Sequence, residues 1–298
     1  MGNFQVRTDL ALEARESISE AKSELHGVLI EEYGSQEDKI HVTKVSIETK
    51  NAAKSMGKLP GTYITLDVPQ MALADEGYHR EISRKVAKQL CSLLPDEKEE
   101  LSVLVVGLGN RDVTADALGP NVADRLRITR HVIKEFGQRA FEQKEVHLIS
   151  AIVPGVMAKT GMESCEIVKG VVAQTKPDVV IAVDALAARS TKRLNRTIQI
   201  TDTGVQPGSG VGNHRHALTK DTLNVPVIGI GIPTVVDAGT IVNDALEKEY
   251  RDKLLGEDLH FSKMTELQNM YVTTKDIDDV INRVSFTISE AINIALEK

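Results

Sequence analysis

The sequence predicts an α/β protein: a mostly parallel sheet flanked by helices on both faces, preceded by an N-terminal arm and a β pair. Three observations predict it. Leu104-Val105-Val106 and Val179-Val180-Ile181-Ala182-Val183 are short, wholly apolar runs that suit strands buried on both faces. Helical patterns alternate with these runs, the order expected of right-handed β-α-β crossovers. Each run leads to an aspartate, Asp116 or Asp184, where the strand ends of an open parallel sheet border a ligand crevice.

Taken in order, Leu10, Ala14, Ile18, Ala21 and Leu25 recur at helical spacing, so a helix starts near Asp9, a candidate N-cap. Ile40 to Ile47 alternates like a half-exposed strand, and Thr62 to Val68 reads as a second strand paired with it. Between them, Asn51 to Gly61 is rich in turn residues and reads as a loop or hairpin connection. Ile82, Val86, Leu90 and Leu93 mark a helix that Pro95 closes off. After the first aspartate strand, one helix carries Val122, Leu126 and Ile133. A strand follows over Glu145 to Ala151, in which His147 reads as a core or edge histidine. A helix from about Glu163 to Gln174 returns the chain to the Asp184 strand. Thr197 to Thr201 and Val225 to Gly231 are further strands, the second ending in Pro233-Thr234 beside the crevice. Asn243 to Leu255 reads as helix, and Gly256 to Tyr271 has no clear pattern. Thr273 with Asp276 resembles a capping box. Ile277, Ile281, Val284, Ile288, Ile292 and Ala295 then form a long amphipathic helix. The whole of 1–298 reads as a single α/β domain.

Composition narrows the function. The net charge of −7 lacks the basic excess of a general nucleic-acid binder. Two cysteines without a CxxC spacing read as reduced thiols. The N-terminus has no apolar signal core, and no run approaches the roughly 18 apolar residues of a membrane span. A cytoplasmic protein is expected, with no direct nucleic-acid or membrane partner.

Two facing carboxylates cannot both ionise cheaply, so one is held as an acid while the other is a base. Such a pair can activate water and protonate a leaving amine. An aspartate at a strand end is also a common turn former or helix cap, and pattern alone leaves both readings open. The loop holding Gly204, Gly208, Gly210 and Gly212 either presents backbone N–H groups to a ligand or simply connects strands. Gly107-Leu108-Gly109 begins a dinucleotide-binding fingerprint, but Asp112 stands at its third glycine position, which argues against a dinucleotide-binding protein.

A set of segments stands in one order. These are Val106-Gly107-Leu108-Gly109-Asn110, Thr114 to Pro120, Pro154-Gly155-Val156-Met157, Lys176-Pro177-Asp178, Asp184 to Ser190, Asp202-Thr203-Gly204, Pro207 to Asn213 and Gly231 to Ala238. From about Gln5 to about Ala238 they resemble the germination protease family, the spore endopeptidases, which is distantly similar to the hydrogenase maturation endopeptidases in fold. The resemblance implies Asp116 and Asp184 as the catalytic pair, acting without cofactor or metal by acid–base hydrolysis. It implies Gly208, Gly210, Asn213, Pro233 and Thr234 as substrate-binding. It implies small acid-soluble spore proteins as substrates, a homotetramer, and residence in the developing and germinating spore. Arg7-Thr8-Asp9-Leu10-Ala11 resembles the family's cleavage sequence, so the resemblance also implies a self-processing zymogen cut at Asp9–Leu10. Residues 1–9 would then be a removable leader, and an exposed, poorly ordered terminus is the expected site of such cutting. The chain departs from the family at Ala115, where relatives often have proline, and at Arg111-Asp112, where they often have an aromatic residue and asparagine. Asp112 is therefore an extra carboxylate competing for the role of Asp116. The alternative enzyme reading is a metal-dependent maturation endopeptidase, with Asp116 and Asp184 as acids and His214 or His216 as the histidine.

Overall fold

The computed structural model describes residues 8–20, 26–34, 40–73, 75–96, 98–141, 146–208, 216–242, 267 and 270–297. The strands are β1 (Val28–Tyr33), β2 (His41–Ile47), β3 (Gly61–Asp67), β4 (Ser102–Gly107), β5 (Leu148–Ile152), β6 (Val179–Ala188), β7 (Thr197–Thr201), β8 (Val227–Asp237) and β9 (Tyr271–Val272). They form one sheet in the order β1-β2-β3-β7-β8-β6-β4-β5, with β9 paired to β8. Strands β8, β6, β4 and β5 run parallel, whereas every pairing from β1 across to β8 is antiparallel. The expected mostly parallel sheet is therefore mixed. The β pair is not an appendage, because β3 pairs with β7 and continues the same sheet.

The helices are α1 (Ala11–Glu20), α2 (Lys50–Met56), α3 (Glu76–Cys91), α4 (Leu118–Ala123), α5 (Arg130–Phe136), α6 (Met157–Thr160), α7 (Ser164–Thr175), α8 (Lys220–Leu223) and α9 (Ile277–Ala295). On one face of the sheet α3, α4 and α9 cover Val103, Val105, Ile181, Val183, Ile198 and Ile230 in the largest core. Each such fully buried aliphatic side chain contributes about 1.5–3 kcal/mol. The other face is covered in two separate places. Helix α7 packs Cys165 and Val168 on Leu104, Val106, Val180 and Ala182. Helices α1 and α2 pack Ala11, Leu12, Ala52, Ala53 and Met56 on Val45, Ile47 and Tyr63. Between these two covers the central strands turn polar or glycine residues outward, and the candidate site forms there.

Several elements differ from their sequence expectation. The turn-rich stretch after Thr49 is helix α2: Thr49 caps it by accepting the Ala52 N–H, and Gly57 ends it at φ 61°. Its buried Ala52, Ala53 and Met56 give it an apolar face that Gly57 and Pro60 conceal in the sequence. The single helix expected over Val122 to Ile133 is two, α4 and α5. Asn293 accepts the Arg127 N–H and Ile149 the Thr129 N–H, so the intervening chain is tied to α9 and β5 rather than to itself. Asp276 precedes α9 with no side-chain cap, and Thr273 donates its hydroxyl to the Thr234 carbonyl, so the two do not form a capping box. The helix expected over Asn243 to Leu255 lies outside the described residues. No described helix is long and apolar enough to cross a membrane.

Candidate active site

Strand β4 ends at Gly107, and the chain immediately doubles back. Gly109 has φ +119°, and a Cβ on it would lie 1.9 Å from the Asp116 carbonyl oxygen, so only glycine fits. The Asn110 N–H then donates both to Asp116 Oδ2 at 2.9 Å and to the Asp116 carbonyl at 3.0 Å. Asp116 closes a single 3-10 turn, Thr114–Asp116. From the far side the buried Thr234 hydroxyl donates to the Ala115 carbonyl at 2.6 Å. Thr234→Val keeps the shape and deletes this bond, at a cost of about 1 kcal/mol. A melting temperature lower by about 2–4 °C is expected, and an unchanged melt would show that the loop is held without it.

Asp184 does not end its strand, because β6 runs on to Ala188. It is instead the first residue past the pairing with β4, whose last partners are Gly107 and Val183. The strand continues because β8 stays paired with it, through Pro233 and, past a bulge at Thr234, Val235 and Val236. The carboxyl end of β4 thus brings the Asp116 loop and Asp184 to one edge. Asp184 is 5% exposed and its Oδ1 accepts the Ala185 N–H at 3.0 Å. Register sets Thr65, Gln199, Gly231 and Asp184 in one row across β3, β7, β8 and β6. The row lies on the face opposite the Ile198 and Val183 core, since side chains alternate along a strand. The Thr65 hydroxyl is buried in that row without a hydrogen-bond partner. Asp112, by contrast, is exposed and bonded to Lys159.

The N-terminal segment lies across this face. Contrary to the expected exposed terminus, Leu10 is 0% exposed and packs with Leu186, Ala188, Leu194 and Val236. Asp9 is fixed to β6 at Ala187: its N–H donates to the Ala187 carbonyl at 3.1 Å, and its Oδ2 accepts the Ala187 N–H at 2.9 Å. The Thr8 hydroxyl, not Asp9, takes the Leu10 N–H ahead of α1. Buried Glu13 accepts the Arg189 and Ser190 N–H groups at 2.8 and 3.0 Å, with Arg193 Nε at 3.6 Å. Glu13→Ala strands those two backbone donors, while Arg193 keeps Glu16 and Asp67, and should cost about 2–3 kcal/mol. The melt should drop by about 5–10 °C, and a drop under 2 °C would contradict the anchoring role.

A cavity of about 1270 Å³ borders this segment, lined by Asp9, Lys58, Leu186, Gln199, Gly204 and Gly231 among others. The start of the glycine loop therefore reaches it. Gly204 holds φ +86° against the Leu218 carbonyl, and Gly208 has φ +73°. Gly210, Asn213 and His214 lie outside the described residues. Pro233 sits inside β8, with its carbonyl accepting the Asn195 N–H at 2.8 Å. His216 is exposed and meets Glu163 at 2.5 Å, and no group of three or more metal-binding side chains occurs among the described residues. His147 is buried, its Nδ1 accepting the Leu101 N–H at 3.1 Å. Cys91 and Cys165 are free thiols.

Lys58 and Gln199 are the site residues that sequence reading misses. Lys58 stands in the stretch read as a loop. Gln199 stands in a strand whose polar alternation suggests an exposed face, yet all five residues of β7 are buried. That burial is visible only once α1 and the N-terminal segment are in place.

A family model described as germination protease matches residues 6–266. A germination protease of Caldanaerobacter subterraneus subsp. tengcongensis is 43% identical, with 98% of this chain and 94% of the relative covered. One of Clostridium perfringens is 42% identical, covering 99% and 96%. One of Bacillus mycoides is 45% identical, covering 83% of this chain and 67% of that protein. Among solved structures, a [NiFe] hydrogenase maturation protease of Thermococcus kodakarensis is 16% identical with a TM-score of 0.32, covering 68% of this chain and 98% of that chain.

Proposed function

The chain belongs to the germination protease family, and from that premise we propose that it is an endopeptidase of spore germination whose substrates are small acid-soluble spore proteins. The observation that carries the mechanism is the meeting of the Asp116 loop and Asp184 at the carboxyl end of β4. In this reading one carboxylate takes a proton from water as the water attacks the peptide carbonyl. The other, protonated, gives its proton to the departing nitrogen. No acyl-enzyme forms.

The enzyme is made as a zymogen and cuts its own Asp9–Leu10 bond, releasing residues 1–9. The seating of Asp9 and Leu10 against β6 supports this, since an acidic residue followed by a large apolar one is already docked on the strand that carries Asp184. Pro233, Thr234 and the glycine loop through Gly208, Gly210 and Asn213 shape the groove for an extended substrate. The loop's start on the cavity wall supports that part, while Thr234 acts through the Asp116 loop. The test is incubation of the purified protein with a small acid-soluble spore protein, followed by sequencing of the new termini. Cuts after an acidic residue are expected, and an intact substrate with processed enzyme rejects the reading.

A further inference from the structure

The carbonyl of the Asp9–Leu10 bond is gripped by two donors from distant parts of the chain. Lys58 Nζ donates to it at 2.7 Å and Gln199 Nε2 at 3.3 Å. The Gln199 amide is oriented for this, because its Oε1 accepts the Ala11 N–H at 2.7 Å and so turns the NH₂ toward Asp9. Lys58 also reaches the Thr8 carbonyl at 3.3 Å.

The surroundings tie this grip to the aspartate edge. Gln199 and Asp184 are both register partners of Gly231, one on each side of it. Their Cα atoms are therefore two strand spacings apart, about 10 Å. The Leu186 side chain fills the space over Gly231 between them, where a Cβ would meet it at 2.5 Å. Leu10 packs on that same Leu186, two residues past Asp184. The held carbonyl and the Asp184 carboxylate thus belong to one face of three adjacent strands.

We propose that Lys58 and Gln199 are catalytic residues that bind the carbonyl oxygen of the peptide bond being cut, first in the leader and then in the protein substrate. This rests on the endopeptidase reading above. When water adds to the carbonyl carbon, the C=O π bond breaks and its electron pair moves onto oxygen. When the C–N bond breaks, the carbonyl re-forms and nitrogen takes a proton, giving one acid and one amine from peptide and water. Both donors strengthen as the oxygen becomes negative, which lowers the barrier more than it tightens binding. Burial pulls the Lys58 ammonium below its usual pKa, with Asp9 and Glu13 acting the other way. An ammonium so poorly solvated gains most from a charge that develops beside it.

The test uses the full-length chain, because self-cleavage is a first-order event. The rate of appearance of the Leu10 terminus is followed by mass spectrometry, and hydrogen exchange at the Asp9 and Ala187 amides reports whether the segment stays seated. Lys58→Met should slow cleavage about 100-fold with both amides as protected as in the wild type. Gln199→Glu, which keeps the Ala11 acceptor but loses the donor, should do likewise and stands in if Lys58→Met does not fold. Lys58→Arg should recover part of the rate. Wild-type rates in both variants, or a rate loss matched by lost protection, would make the pair a leader anchor only and overturn the proposal. A wild type that never exposes Leu10 removes the self-processing reading and the proposal with it, whereas cleavage in wild type and variants alike removes the proposal alone.

Discussion

Asp184→Asn and Asp116→Asn should each lower hydrolysis of a small acid-soluble spore protein by about 10³-fold while leaving the fold intact. The geometry makes asparagine a clean probe. Asp184 Oδ1 accepts the Ala185 N–H, and Asp116 Oδ2 accepts the Asn110 N–H. An asparagine oxygen can accept either bond, so what is lost is the ability to take up and release a proton. Melting temperatures within a few degrees of wild type would confirm that the chemistry alone was changed. Asp112→Asn is the internal control. Its carboxylate is exposed and spent on Lys159, so the change should alter the rate less than about twofold, as surface pairs contribute little. Retention of more than a tenth of wild-type activity in Asp184→Asn would remove that residue from the mechanism. A large loss in Asp112→Asn would pass the role of second acid from Asp116 to Asp112.

Asp184 is legible in the sequence because an apolar run leads straight into it, whereas Asp116 lies beyond Asp112 in the following loop and is singled out by the resemblance. A strand buried on both faces has no use for a carboxylate, so Asp184 after Val179 to Val183 stands out. The same logic reads α3 and α9, whose apolar residues recur at 3.6-residue spacing. It fails where burial comes from distant chain. Strand β1 is an edge strand with four of its six residues exposed, so pairing to β2 defines it and alternation does not. Helix α2 is a short helix whose cap and stop residues also suit a turn. The extent of β6 beyond Asp184 depends on β8, which bulges between its pairings to Leu186 and Ala187 to stay in register. Gln199 looks like an outward polar residue until the N-terminal segment covers it. The sequence also marks the Asp9–Leu10 bond by resemblance but assigns it to a loose end, because nothing local tells that Ala187, Lys58 and Gln199 meet it.

Gly119→Ala should be a highly damaging single-methyl change in the site. Gly119 lies in the first turn of α4, where the helix crosses the ends of β4 and β6. A Cβ on it would fall 2.3 Å from the Leu108 carbonyl oxygen and 2.5 Å from both the Leu108 nitrogen and the Val183 carbonyl oxygen. Those last two atoms are the donor and acceptor of a 2.8 Å hydrogen bond, so the methyl would be driven into the final rung joining β4 to β6. All three atoms are backbone, and no rotamer change relieves the overlap. Either α4 backs away or the rung opens, and the cost should be on the order of 4 kcal/mol, above the usual range for an added methyl group. Both outcomes also move Asp116, three residues ahead of Gly119, relative to Asp184, one residue past Val183. Misplacement by about 1 Å is enough to lower the rate about 100-fold. The variant should therefore melt at least about 8 °C lower, and what remains folded at low temperature should hydrolyse the spore protein far more slowly than wild type. A control at Gly137, where a Cβ would meet nothing within 4 Å but would sit at φ +73°, separates backbone strain from crowding. Gly137→Ala, at φ 73° and ψ 178°, should cost about 1–3 kcal/mol from backbone strain alone and leave the hydrolysis rate unchanged. Equal losses in the two variants would show that crowding at the β4–β6 junction is not what fixes the aspartate pair.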